Sequence, residues 1–153
     1  MSEIATYINC WQFNRTRTLA TLDEFEKQLD PVHAISWRPG TGRAHAAWQF
    51  MHIAITEELF ATARLMQLEP KFGEWIERYR GGSTPDDNIP TFEQIRETLS
   101  ISRERLIAVV SDFNDAQLEN VPKALAERGW TIRTALQVLA WHESIIKAKS
   151  ILR

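Results

Sequence analysis

Residues 135–149 read ALQVLAWHESIIKAK. Ala135, Val138, Leu139, His142, Ile145 and Ile146 recur at intervals of three and four, the repeat of one α-helical face. Thr131 stands just before the pattern and suits an N-cap, so the spacing predicts a helix over 132–151. A histidine lies inside the apolar stripe. Its neighbours one turn away on either side, Val138 and Ile146, cannot bind a metal.

The same repeat runs through the rest of the chain. Ninety residues earlier, His52 sits in AAWQFMHIAITEEL, within a helix predicted over 43–67. Trp48, Met51, Ile55, Leu59 and Met66 form its stripe, and His52 lies at the edge of that face. Thr91 with Gln94 makes a capping-box signal, followed by Phe92, Ile95, Leu99, Leu106, Val110 and Phe113. Ile4, Ile8, Trp11, Leu22, Phe25 and Leu29 predict a first helix over 3–29, with Asn14 and Arg15 interrupting the stripe. That helix is expected to stop before Asp30-Pro31, because proline disfavours a helical residue ahead of it. Residues 30–42 read as loop. Residues 70–90 read as an excursion, with FGEWIERYR offering one short extra helix and GGSTPDDNIP a loop. No stretch alternates as a half-buried strand would. The expected fold is all-α: four long helices with long connections, in one domain over 1–153.

The chain has 153 residues, enough to bury a core without covalent staples. A net charge of -2 gives no broad electrostatic grip on nucleic acid. Cys10 is the single cysteine, which excludes an intrachain disulfide and suits a reducing cytoplasm. The start of the chain lacks the basic-then-apolar pattern of a signal peptide. No apolar run is long enough to span a membrane.

His52 and His142 are the candidate site. They read either as two buried, hydrogen-bonded imidazoles, as an altered metal site, or as an acid/base pair. Asn14, Gln49, Thr56 and Tyr7 are candidate polar partners for them. Glu143 adjoins His142, but adjacent helical residues point about 100° apart, so it replaces a missing ligand poorly. Glu57 and Glu58 suffer similarly relative to His52. His45, seven residues before His52, lies roughly 10.5 Å along the axis and suits a pocket mouth. Trp11, Trp48 and Trp141 fall near inward faces, as core or as pocket wall. Trp37 and Trp130 stand beside loops and could flank an entrance. Arg38 and Arg43 bracket PGTG and could meet an anionic substrate. Tyr7 and Trp11 beside Cys10 suggest that the thiol is buried, and Asp86-Asp87 reads as a solvated turn.

Taken together, Asn14-Arg15, AAWQFMHIAITEEL, GWTIRTAL and WHESIIKAK resemble the DinB-like superfamily of bacterial four-helix proteins. The resemblance covers nearly all of the chain. It implies a divalent metal, nickel or zinc, held by one histidine from the second helix and a pair four apart on the fourth. His52 matches the first ligand and His142 the first of the pair. The second of the pair falls on Ile146, and the family's following Gly-Gln falls on Ala148-Lys149. Such a site binds its metal weakly or not at all. Asn14, Trp48, Gln49 and Trp141 are the expected pocket lining. Relatives include thiol-dependent transferases and a maleylpyruvate isomerase, so the resemblance implies a small-molecule or thiol ligand. The alternative is a metal-dependent thiol transferase or hydrolase using His52 and His142 with a third ligand from elsewhere. The resemblance also implies a homodimer; Ile101 and Ile107, outside the narrowest Phe92–Leu99–Leu106 stripe, read either as part of a second contact surface or as a wider core face.

Overall fold

The computed structural model describes residues 1–151. Positions 152 and 153 of the expected domain lie outside the described residues. Helix α1 spans Glu3–Glu26, capped by the Ser2 hydroxyl, which accepts from the Ala5 amide. It stops three residues before the expected end, leaving Leu29 exposed. The next residues start a new helix, α2, Pro31–Ser36. The expectation of a loop there is corrected: the Asp30 carboxylate accepts from the His33 amide, and Pro31 takes the first helical position, where its missing N–H costs nothing. Helix α3 spans Ala46–Leu59 and also starts three residues later than expected. His45 is its cap, with Nδ1 accepting from the Trp48 amide at 3.0 Å. A single π-helical turn, Phe60–Arg64, continues it. Helix α4, Glu74–Tyr79, is the short helix expected in the excursion. Helix α5, Phe92–Ser111, carries the Thr91–Gln94 capping box read from sequence. Two 3₁₀ turns, Asp115–Gln117 and Lys123–Arg128, lead to α6, Ile132–Ile151. The described residues contain no strand.

Pairings along the helices fix their directions. Between α1 and α6, Trp11 bonds the Leu136 carbonyl, Asn14 the Ala140 carbonyl and Thr18 the Glu143 carboxylate, so the two run parallel. Between α1 and α5 the order reverses: Arg103 meets the Trp11 carbonyl, Arg15 the Leu99 carbonyl, and Arg96 meets Asp23. Helices α3 and α5 run parallel, with Glu57 bonded to Ser102 and Arg103 and Glu58 to Arg105. Parallel neighbours cannot be joined by a tight turn. The segment between them must travel back along the molecule, which accounts for the long stretch holding α4.

Two apolar clusters fill the interior. One gathers Leu22, Phe25, Phe50, Met51, Ile55, Leu99 and Ile146. The other gathers Trp11, Phe60, Leu106, Val110, Leu136 and Leu139. Between the two clusters each long helix contributes a buried charge to one shared layer: Arg15 on α1, Glu57 on α3, Arg103 on α5 and Glu143 on α6. All four are buried and bonded to one another. Arg15 reaches Glu57 at 2.6 Å and Glu143 at 2.9 Å, and Arg103 reaches each carboxylate at 2.6 Å. Ser102, Thr18 and the carbonyls of Trp11 and Leu99 complete the layer. Burial pushes the Glu57 carboxyl up, but the Arg15 and Arg103 guanidiniums outweigh it and hold it below the usual carboxylate range. No helix among the described residues is long and apolar enough to cross a membrane.

Candidate functional site

His52 and His142 come from antiparallel faces of α3 and α6, and their Nε2 atoms are 3.1 Å apart. His52 is buried and His142 is partly buried. The Nδ1 of His52 lies 2.7 Å from the Tyr79 carbonyl at the end of α4. A carbonyl only accepts, so this nitrogen carries the proton. The Nε2 of His52 is then a lone pair, and the neutral pair is satisfied when His142 Nε2–H donates to it. The Trp48 ring stacks on His52, with centroids 4.5 Å apart and planes 16° from parallel. Its indole N–H donates to the Arg78 carbonyl and the Ser83 hydroxyl. Trp48 and Gln49 also wall a cleft of about 550 Å³, whose lining includes neither histidine.

Burial, first of all, lowers the pKa of His52, with the Lys149 charge adding to it. His142 is lowered to about 4 by burial, then by its partner His52. Between the unfolded value near 6.5 and the folded value near 4, the unfolded chain binds more protons, so the native state loses stability as pH falls. Urea unfolding at pH 7 and pH 5 is expected to show a lower midpoint at pH 5. His142→Gln is expected to flatten that difference, and an unchanged slope in the variant would assign the effect to other groups.

Several sequence expectations are relocated. Asn14 does not line the cleft; its Nδ2 donates to the Ala140 carbonyl at 3.0 Å and ties α1 to α6. Trp141, expected on an inward face, is 61% exposed. Its position next to His142 turns it outward by one helical step. His45 does not sit at the pocket mouth. It is buried, with Nδ1 used by the cap and Nε2 donating to the Asp86 carbonyl at 2.7 Å. Asp86 and Asp87 are not merely solvated, since they pair with Arg78 and Arg38. Cys10 is exposed, not buried. Trp130 packs in the cluster remote from the pair, and Trp37 lines a separate groove with His33. Tyr7 bonds Glu3, not an imidazole. Sequence reasoning missed the actual partner of His52, because a backbone carbonyl has no signature in residue type.

The model of the DinB superfamily matches residues 11–145. The chain belongs to the DinB superfamily. No curated protein and no solved structure matches the chain. The match runs from Trp11 almost to the end of α6, so it includes His52, His142 and the ionic layer of this DinB chain.

A DinB-type three-histidine metal site can be tested against the donors present. Two imidazoles on a tetrahedral ion, each about 2.0–2.1 Å from it, stand roughly 3.3 Å apart. The Nε2 separation of 3.1 Å is close to that edge. His52, with Nδ1 held by a carbonyl, has the orientation that metal-binding histidines use. The third position fails. Ile146 is 7% exposed and belongs to the apolar cluster. Glu143 points into the ionic layer, as do both oxygens of Glu57. Glu58 accepts from the Lys71 amide and Arg105. Among the described residues no group of three or more His, Cys, Asp or Glu is placed to hold an ion. The donor set therefore supplies two ligands and does not fit a three-histidine centre.

Proposed function

We propose that this DinB chain is a four-helix bundle that binds a small molecule in the cleft beside His52 and His142, with a thiol-bearing compound among the candidate ligands. The observation that carries the reading is the imidazole pair itself. Each ring has a partner without an ion, through the Nε2 contact of 3.1 Å and the Tyr79 carbonyl. The third ligand position is occupied by a packed isoleucine. The pair meets the cleft through Trp48, whose ring stacks on His52 and walls the cleft, so it orients the aromatic surface on which a bound molecule would rest. The proposal places the protein in the cytoplasm, where a lone exposed thiol stays reduced.

Metal analysis tests this reading. Untagged protein, dialysed, is expected to carry less than one tightly bound nickel or zinc per chain, since two imidazoles seldom make a tight site. A stoichiometric ion that disappears in His52→Ala would replace it with the second reading, a metal-dependent thiol transferase or hydrolase. That second reading draws on the near-tetrahedral spacing of the two Nε2 atoms.

A homodimer through helix faces belongs to the same proposal. Ile101 and Ile107 are each part-exposed in the single chain and offer apolar contact area. Light scattering that returns a mass near 17.7 kDa would end that part of it.

A further inference from the structure

Three segments meet around the cleft that Trp48 walls. The loop before α3 contributes Arg43 and Ala44, the first turn of α3 contributes Trp48 and Gln49, and the crossover that joins α3 to α5 contributes Ser83 and Pro85. One imidazole ties all three together. His45 follows Ala44 at the end of the loop and is only 1% exposed. Its Nδ1 accepts from the Trp48 amide at 3.0 Å, which caps α3. Its Nε2 lies 2.7 Å from the carbonyl of Asp86, the residue after Pro85. Arg38 clamps the same loop to the carbonyls of Pro85 and Asp86 and to the Asp87 carboxylate, but these bonds do not reach α3.

The imidazole can make both bonds only when neutral. A carbonyl accepts, so Nε2 carries the proton and Nδ1 offers a lone pair to the Trp48 N–H. A second proton would have to sit on Nδ1 and would set a donor against a donor. The cap is then lost, and with it the bond that fixes the backbone of Trp48 at the wall. Burial, first of all, holds the ring below its ordinary pKa, with the Arg38 charge adding to it, against the Asp86 carbonyl and the Asp86 and Asp87 carboxylates. Arg78 of α4 pairs with Asp86, Arg43 and Lys149 line the same cleft, and the next titratable residue along α3 is His52, two turns on. A ring released into water beside Asp86 and Asp87 holds its proton more readily than the buried one. Acid therefore favours release below the ordinary histidine value near 6.5.

We propose that His45 is a proton-operated latch on the cleft. With the ring neutral, the loop, α3 and the crossover are locked together and Trp48 stands against His52. With the ring charged, the first turn of α3 and the crossover near Ser83 part, and the cleft opens at that wall. The latch belongs to the walls, so it goes beyond the reading of the cleft as a ligand site and stands or falls without an occupant.

Hydrogen exchange of the full chain, followed by ¹H–¹⁵N NMR from pH 7 to pH 5 and referred to the intrinsic rate at each pH, tests the latch at the bond concerned. The Trp48 amide donates to His45, so its protection reports the cap directly. Protection of the Trp48 and Ser83 amides is expected to fall about tenfold between pH 6 and pH 5, the limit for one proton. The Arg103 amide, in the ionic layer, is expected to keep its protection. In His45→Asn the side-chain oxygen can still cap α3, but the group takes up no proton in this range, so the fall at Trp48 is expected to vanish. The ring ¹⁵N signals of His45 give a second reading should that variant not fold: they are expected to show the Nε2–H tautomer alone at pH 7. Trp48 protection that ignores pH overturns the latch, as does a fall that persists in His45→Asn. A fall shared equally by Arg103 overturns it by assigning the opening to the whole fold. An Nδ1–H tautomer at pH 7 overturns it by removing the cap.

Discussion

Glu57→Gln is expected to cost about 3–5 kcal/mol of stability, the scale for breaking a buried ion pair from one side. For a chain of 153 residues that lowers Tm by roughly 10 °C. Glu57 meets Arg15 at 2.6 Å, Arg103 at 2.6 Å and Ser102 at 3.0 Å, all in the buried centre. Glutamine matches its shape but not its charge, so two buried guanidiniums would face one carboxylate. The loss measures the uncompensated charge, not the worth of the layer. Replacing Arg15 and Arg103 by Met and Glu57 and Glu143 by Leu together is expected to restore much of it, because an apolar layer needs no compensation. Calorimetric melting of the single and fourfold variants makes the comparison. A Glu57→Gln protein with wild-type Tm would show that the layer is wetter than its burial indicates.

Ile146→His is expected to turn the pair into a metal centre. Residues 142 and 146 share a helix face, and His142 already stands 3.1 Å from His52. A third imidazole at 146 would project to the same side and complete the set. Zinc or nickel affinity is expected to rise on the order of 100-fold over the parent, about 2.7 kcal/mol. Titration calorimetry on both proteins reads it. Binding ought to strengthen with pH through the histidine range, since only neutral imidazoles coordinate. The metal-free variant is expected to be less stable than the parent, because a polar ring replaces a packed side chain. Unchanged affinity would mean that position 146 does not face the two rings.

Much of the fold was legible because its signals are local. The Thr91–Gln94 capping box lies where its spacing placed it, and the four long apolar patterns became the four long helices. Helix α2 was missed because Asp30-Pro31 carries two meanings. As a stop signal it bounds the preceding helix, which already ends at Glu26, and as a cap and first residue it starts the following one. Arg15 interrupts its stripe by residue type, yet it stands four residues after Trp11 and seven before Leu22, in phase with both. Glu57, Arg103 and Glu143 keep phase with Ile53, Leu99 and Leu139 in the same way. A charge in phase with an apolar face is the available sign of a buried network, and single-helix reasoning has no means to pair such charges. The two histidines were visible as residue types, but the Tyr79 carbonyl emerges only from how the crossover and α3 meet.

Helices in a bundle are free to slide in a way that strands are not. Their apolar rows repeat with each turn, so α6 displaced by one turn, about 5.4 Å, would still bury aliphatic side chains. Four charges confined to one level remove that freedom, since any such displacement would strand Glu143 among hydrocarbon and leave Arg15 and Arg103 short of a counter-charge. The layer acts as an index mark for all four helices. His142 is the residue next to Glu143, so its height against α3 is set by that mark and not by whatever occupies the cavity. A side chain packed near the rings can be exchanged, as in Ile146→His, while the scaffold that aligns the rings stays in place.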